Sequence, residues 1–147
     1  MRRLLDTNVL LALCDPNHID HERVQTWFAK TGGQAWASCP ITQNGFVRIL
    51  ANPSYPGLSG SASIAATLLQ ELLRHKGHEF WPDDYSIVDG TVDLRRAAGS
   101  KQVTDLYLLG LAVRRKGRFA SLDTQMSARL VRGGEEACEI IANQRHV

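Results

Sequence analysis

Cysteine is scarce in this sequence, and its few positions share no close spacing. The 147 residues contain three cysteines, Cys14, Cys39 and Cys138, without a Cys-x-x-Cys pair. An odd number of scattered thiols argues against both a disulfide framework and a zinc site. We therefore expect three reduced thiols, mostly buried, as free cysteines usually are.

Long apolar runs and several common catalytic motifs are also absent. Asp6 interrupts the apolar segment at the N-terminus, so the sequence matches neither a signal peptide nor a transmembrane helix. It contains no P-loop, no G-x-G-x-x-G motif and no G-x-S-x-G nucleophile turn. These absences predict a cytoplasmic protein that makes no membrane contact and works without a P-loop or a nucleophilic serine.

The overall composition is that of an ordinary soluble domain. Hydrophobic residues make up 44% of the chain and charged residues 22%, with a formal net charge of +2. The length predicts a single domain over residues 1–147, large enough to bury a core without disulfides or a structural metal. We find no internal repeat, low-complexity tract or linker.

Short apolar segments alternate with helical patterns along the chain. Strands are predicted near residues 4–5, 35–39, 80–81, 119–122 and 138–142. Helices are predicted at 7–13, 19–30, 41–50, 103–115 and 124–130, with another that begins after Ser61 or Ser63 and ends before Gly77. This alternation predicts an α/β fold in which helices cover both faces of a central parallel sheet, a three-layer α/β/α arrangement.

Three aspartates stand where ligand sites form in such folds. Asp6 and Asp123 each follow a predicted strand, and Asp105 lies after Thr104 in the expected first turn of the helix at 103–115. In a parallel sheet, the carboxyl ends of the strands and the N-termini of the following helices share one edge. We therefore expect the three carboxylates to converge there.

Each aspartate also has a purely structural explanation. Asp6 and Asp123 could cap the helices that follow them. Asp105 could favour the positive end of its own helix dipole. All three would then share one edge of the sheet by coincidence.

Crowded carboxylates repel one another unless a cation compensates their charge. A set of oxygen ligands without histidine or cysteine favours Mg²⁺ or Mn²⁺ over Zn²⁺. A hydrated divalent cation in such a pocket can support hydrolysis of a phosphodiester bond. Asp6, Asp105 and Asp123 are thus the candidate metal ligands and catalytic residues.

Five segments carry a resemblance to a known family. Leu4-Leu5-Asp6-Thr7-Asn8, Gly45–Leu50, Phe80-Trp81-Pro82-Asp83-Asp84 and Gln102–Leu109 occur in order, followed by Ser121-Leu122-Asp123. The chain resembles the PIN-domain ribonucleases over nearly its whole length, and in particular the VapC toxins of type II toxin–antitoxin systems. The resemblance implies a PIN-like fold and Mg²⁺-dependent cleavage of structured RNA such as tRNA or rRNA. It also implies a homodimer and a small antitoxin protein as partner.

One position departs from the family pattern. Many PIN domains carry a glutamate on the helix after the second strand, and Gln43 stands at the matching position here. A glutamine can accept a hydrogen bond from water but brings no charge. We expect three carboxylates to suffice for activity. The alternative is a catalytically weakened domain that acts as an RNA-binding or antitoxin-binding module.

Other polar residues have candidate supporting roles. Thr7, Thr104 and Ser121 lie close in sequence to the three aspartates and could orient the carboxylates, although helix capping would equally explain them. Basic residues cluster at Arg114, Arg115, Lys116 and Arg118. This cluster could contact the RNA backbone, or could simply favour the negative end of a helix dipole.

Overall fold

A five-stranded parallel sheet forms the centre of the fold. The computed structural model describes residues 1–57 and 60–141. The strands are β1 (Arg3–Leu5), β2 (Trp36–Ser38), β3 (His78–Phe80), β4 (Arg118–Ser121) and β5 (Cys138–Ile140). They run in the order β3-β2-β1-β4-β5, and every neighbouring pair is parallel, which confirms the predicted sheet.

Six α-helices connect these strands within the described ranges. They are α1 (Thr7–Cys14), α2 (His21–Lys30), α3 (Pro40–Leu50), α4 (Ala62–Leu73), α5 (Ser100–Arg114) and α6 (Gly134–Ala137). Short 3₁₀ turns occur at Gly32–Gln34, Leu94–Arg96 and Ala128–Leu130. No helix in the described part of the chain is long and apolar enough to cross a membrane.

The helices divide between the two faces of the sheet. Leu4 and Phe119 pack into a cluster with the apolar residues of α5 and α6. Their neighbours Leu5 and Ala120 point the other way, into a cluster with residues of α1 to α4. Because successive strand residues face opposite sides, this alternation gives three layers and confirms the predicted α/β/α fold.

The strand order reverses between β1 and β4. From β1 the sheet continues through β2 and β3 on one side, and through β4 and β5 on the other. In an open parallel sheet, such a reversal leaves a crevice at the carboxyl ends of the two central strands. Asp6 directly follows β1, and Asp123 follows β4 closely.

Helix α5 begins earlier than its apolar pattern predicts. It starts at Ser100, so Asp105 lies in the second turn and the predicted first-turn position is wrong. The first turn is polar, with Ser100, Lys101 and Gln102, and therefore contributes no apolar periodicity. The dipole explanation for Asp105 loses force, because that effect is confined to the first turn.

The helix predicted at 124–130 does not form, and only the 3₁₀ turn Ala128–Leu130 is helical there. Asp123 accepts a hydrogen bond from the backbone N–H of Gln125 at 2.8 Å. Such local side-chain bonds compete with helical hydrogen bonds. Asp123 therefore shapes a loop, and its predicted role as a helix cap is wrong.

The remaining differences are small. Ser61 caps α4 by accepting a hydrogen bond from the Ile64 N–H. Trp81 follows β3 and is not part of it. The last predicted strand ends at residue 142, which lies outside the described residues. All three cysteines are free as predicted, although only Cys39 is fully buried.

Candidate active site

Asp6 is both a helix cap and a buried carboxylate at the crevice. Its side chain is 7% exposed. Oδ1 accepts from the Thr7 N–H at 2.8 Å, and Oδ2 accepts from the Ser121 hydroxyl at 2.7 Å. Burial raises the pKa of Asp6, while these two hydrogen bonds partly oppose the increase and nearby Asp123 adds to it. The cap and the site are therefore compatible roles for this residue.

Ser121 connects two of the three candidate acids. It is fully buried at the end of β4. Its Oγ donates to Asp6 and accepts from the backbone N–H of Asp123 at 3.1 Å. One hydroxyl thus sets the position of the Asp6 carboxylate relative to the loop that carries Asp123, as expected of a residue that orients a site.

Asp105 has the strongest coupling to the other acids. Burial, the charges of Asp6 and Asp123, and a hydrogen bond with the Asp123 carboxyl raise its pKa from 3.8 to about 7. A hydrogen bond between two carboxyl groups requires a proton that they share. The sheet edge therefore brings the carboxyl groups of Asp105 and Asp123 close together, with Asp6 near enough to contribute to the raised pKa of Asp105.

A cavity of about 360 Å³ opens beside the acid pair. It lies between the N-terminal part of α5 and the loop after β4. Its lining residues are Ala98, Lys101, Gln102, Asp105, Leu106, Asp123, Gln125, Met126 and Ser127. Asp105 and Asp123 thus face a space that a substrate can enter.

The donor chemistry of this site fits a hard divalent cation, but the ligands are not assembled. Within residues 1–57 and 60–141, no three His, Cys, Asp or Glu side chains form a group arranged to hold a metal ion. Mg²⁺ is commonly held by only one or two carboxylates, with water and substrate phosphate completing its shell. Asp105 and Asp123 would provide those two carboxylates, with Asp6 as the candidate third.

Gln43 takes part in a hydrogen-bond chain beside the crevice. Its amide Nε2 donates to the Ser38 Oγ at 2.9 Å, and that oxygen lies 2.7 Å from Nε2 of His78. Burial and the charge of Arg2 lower the pKa of His78, which favours a neutral ring that accepts the Ser38 proton. The Gln43 amide nitrogen is thereby engaged, and acceptance of a hydrogen bond from water by its carbonyl oxygen stays a prediction.

The two threonines differ in their surroundings. Thr7 donates its backbone N–H to Asp6, and its Oγ1 donates to the Thr42 carbonyl at 3.4 Å. A Cβ on Gly45 would lie 2.8 Å from the Thr7 Oγ1, so a glycine there lets α3 approach α1 closely. Thr104, in contrast, is exposed on α5, and its supporting role stays a prediction.

The basic cluster lies away from the acids. It spans the end of α5 and the start of β4, at the opposite edge of the sheet from Asp6 and Asp123. At 1.5 Å per residue, Arg114 lies about 13 Å along the helix axis from Asp105. Arg114, Arg115 and Arg118 pair with Asp89, Asp84 and Glu139 respectively. Contact of Arg114, Arg115, Lys116 and Arg118 with RNA stays a prediction.

Sequence reasoning missed several residues that the fold brings to the site. Asn8 accepts from the Leu122 N–H at 3.3 Å and so ties α1 to the end of β4. Its position two residues after Asp6 was the available signal. Lys101 and Gln102 line the cavity. Because both are polar, the sequence pattern predicted a loop at these positions, before the helix.

The parallel fold and the coupled carboxylates define the class of protein. Residues 3–129 match the family model described as PIN domain. Several curated relatives from Mycobacterium tuberculosis align along most of their own length. The chain therefore belongs to the PIN domain family, and its resemblance to the VapC group is confirmed.

Three of these relatives are named ribonucleases. The chain is 48% identical to Ribonuclease VapC44, over 90% of this chain and 94% of that protein. It is 40% identical to Ribonuclease VapC39 (86% and 92% covered) and 44% identical to Ribonuclease VapC38 (82% and 84% covered).

Two solved structures share the fold at low sequence identity. VapBC2 from Rickettsia felis, bound to a DNA fragment from its promoter, matches with a TM-score of 0.60 and 13% identity, over 88% of this chain and 93% of that one. FitAB bound to the IR36 DNA fragment matches with a TM-score of 0.65 and 18% identity, over 98% of both chains.

Proposed function

We propose that this protein is a Mg²⁺- or Mn²⁺-dependent endoribonuclease and the toxin of a type II toxin–antitoxin pair. The observation that carries the proposal is that Asp105 and Asp123 line one cavity near the point where the strand order reverses, with buried Asp6 close by. Relatives named ribonucleases, up to 48% identical, support the same activity. We place the protein in the cytoplasm, where its RNA substrate would be found.

The reaction is hydrolysis of an RNA phosphodiester bond, with water attacking in line with the leaving oxygen and no covalent enzyme intermediate. A bound Mg²⁺ would supply Lewis-acid activation of water and neutralise charge on the phosphate. Asp105 and Asp123 would hold the cation. Ser121 and Thr7 fix the Asp6 carboxylate near them, and Asp6 would supply the third oxygen ligand.

The partners follow from the family. The proposed substrates are structured RNAs, tRNA or rRNA, and the proposed protein partner is a small antitoxin. The solved structures with the same fold are titled as the two-protein systems VapBC2 and FitAB, which supports a partner of this kind. We also propose a homodimer.

A competing function follows from Gln43. Its amide is engaged by Ser38, and glutamine adds no charge at a position where relatives of the wider family carry glutamate. If the missing carboxylate were essential, the domain would bind RNA or an antitoxin without cutting. The same experiment separates the two functions.

Removal of the metal should stop cleavage reversibly. Purified protein incubated with total tRNA and, separately, with rRNA should give discrete fragments in Mg²⁺ or Mn²⁺ and none in EDTA, with recovery when excess Mg²⁺ is restored. Asp105→Asn protein purified in parallel controls for a contaminating nuclease. If the natural protein is inactive while Gln43→Glu cleaves in Mg²⁺, the binding-module function is correct and the proposal is wrong.

Loss of the Ser121 hydroxyl should impair catalysis more than folding. Ser121→Ala removes the proton donated to Asp6 and the acceptor for the Asp123 N–H. Loss of such an orienting residue typically costs about 10- to 100-fold in activity. We expect a decrease of that size in kcat/KM on RNA, with a cooperative thermal transition retained. Full activity in Ser121→Ala would show that Asp6 needs no orientation by this serine.

A further inference from the structure

We propose that Lys101 binds a backbone phosphate of the RNA at the rim of the acidic cavity and so positions the strand for cleavage. This inference rests on the proposed ribonuclease function and assigns a substrate contact to it. The proposed RNA contact lies at the cavity, away from the basic cluster at the opposite edge of the sheet.

The position of Lys101 is set by α5. It lies one helical turn before Asp105, and residues at that spacing share a helix face. Lys101 is exposed, and it lines the same cavity as Asp105 and Asp123. Its flexible side chain can therefore place an ammonium group beside a phosphate that enters the cavity.

Neither the helix dipole nor a salt bridge explains a lysine here. Lys101 lies in the first turn of α5, where the helix dipole disfavours a cation. Across residues 1–57 and 60–141, the eight salt bridges leave Lys101 without an acidic partner. Arg114, Arg115 and Arg118 at the other edge, by comparison, are all paired.

The acidic side chains of the cavity make a nearby cation favourable for RNA binding. Two carboxyl groups face it and a third lies close by, so the site repels a polyanionic strand before a metal binds. An unpaired ammonium on the rim offsets that repulsion and favours phosphate over other ligands. The carboxylates alone do not supply this attraction.

The side chain of Gln102 holds this wall of the cavity in place. Its Oε1 accepts from the Ala98 N–H at 3.2 Å, and its Nε2 donates to the Ser127 Oγ at 3.3 Å. The first turn of α5 is thereby tied to the loop that follows Asp123. The backbone at Lys101 consequently keeps a defined position beside the cavity, from which its side chain can reach a phosphate.

The test measures RNA binding without metal. Fluorescence anisotropy with a labelled single-stranded RNA in EDTA would compare the natural protein, Lys101→Gln, Lys101→Arg and Lys30→Gln. Lys30 is the matched control. It is exposed at the C-terminal end of α2, and α2 leads to the amino end of β2. Its replacement removes the same charge far from the cavity.

We expect Lys101→Gln to weaken RNA binding about 5- to 10-fold. The magnitude of the slope of log K against log salt should decrease by about 0.7, the value for one phosphate contact on a single strand. Lys101→Arg should retain most of the affinity, and Lys30→Gln should match the natural protein. In cleavage assays with metal, Lys101→Gln should raise KM more than it lowers kcat.

Equal affinity and salt slope for Lys101→Gln and Lys30→Gln would overturn the inference, whether or not the protein cleaves RNA. If the natural protein binds RNA through Lys101 but does not cleave it, the ribonuclease proposal fails and the phosphate contact stands. Absence of RNA binding by the natural protein in EDTA would refute the phosphate contact, whereas the ribonuclease proposal is tested separately by cleavage in Mg²⁺.

Discussion

Replacement of Asp105 by asparagine is expected to abolish RNA cleavage and leave the fold intact. Asp105 lines the cavity with Asp123, and the charges of both Asp6 and Asp123 raise its pKa, so it is the central member of the proposed metal site. Metal stabilisation of a phosphoryl transition state is worth several kcal/mol, and about 1.4 kcal/mol corresponds to a factor of ten. We expect kcat/KM to fall by about 100-fold or more on tRNA or rRNA in saturating Mg²⁺.

The stability of the same variant provides the control. The folded-state pKa of Asp105 is about 7, above its ordinary 3.8, so the folded state binds this proton more tightly than the unfolded chain does. The ionised carboxylate therefore destabilises the fold at higher pH, and asparagine removes that cost. Urea unfolding in metal-free buffer at pH 8 should give Asp105→Asn a free energy of unfolding equal to or above that of the natural protein. Unchanged RNA cleavage by Asp105→Asn would refute the proposed metal-dependent mechanism.

Replacement of Glu139 by alanine is expected to cause a large loss of stability without touching the site. Glu139 accepts from Arg3 Nε at 2.8 Å, from the Trp27 indole N–H at 2.9 Å and from Arg118 at 3.4 Å. These bonds join β5 to β1, β4 and α2. Removal of Glu139 leaves part-buried donors unsatisfied and two arginines unpaired, at a cost of about 2–3 kcal/mol.

The control for Glu139 is a more exposed ion pair. Arg2 and Glu79 are separated by 2.8 Å, but the Glu79 side chain is 51% exposed, against 18% for Glu139. Exposed pairs contribute at most about 1 kcal/mol. Chemical denaturation at pH 7 should therefore show a much smaller effect for Glu79→Ala than for Glu139→Ala. Equal effects would mean that the Glu139 cluster behaves as a surface ion pair.

The pH dependence of this effect has a definite sign. Burial by itself would raise the pKa of Glu139, but the hydrogen bonds from Arg3 and Trp27 outweigh it, and the pKa lies below its ordinary 4.5. The carboxylate therefore stabilises the fold above that ordinary value, and the contribution is lost as the pH falls through the lower folded-state pKa. The difference between the natural protein and Glu139→Gln should shrink over that acidic range.

The strands and most helices could be predicted because their signals are local. Leu4 and Leu5 show the alternation of a strand buried on both faces, and Pro40 starts α3 as its position predicts. The failures also have local causes. The polar first turn of α5 concealed its beginning, and the hydrogen bond from Gln125 to Asp123 replaced a predicted helix with a loop.

The candidate site was predictable only in part. The positions of Asp6, Asp105 and Asp123 after strands and near a helix start pointed to one edge of the sheet. The residues that organise them were harder to find, because Ser121 and Asn8 act through contacts between segments distant in the chain. The basic residues at Arg114–Arg118 form a cluster that can be recognised in the sequence. Lys101 is isolated and forms no such pattern.

The α/β class, the three acids and the family resemblance are all readable from the sequence, since each is expressed in local order or short-range periodicity. The fold was needed to show that Asp105 and Asp123 line one cavity, that Ser121 holds Asp6, and that the paired basic cluster lies at the opposite edge. These outcomes depend on strand order. β4 pairs with β1 although the two strands are far apart in the sequence. Residues distant in the sequence therefore lie at one crevice, and no local sequence pattern predicts this arrangement.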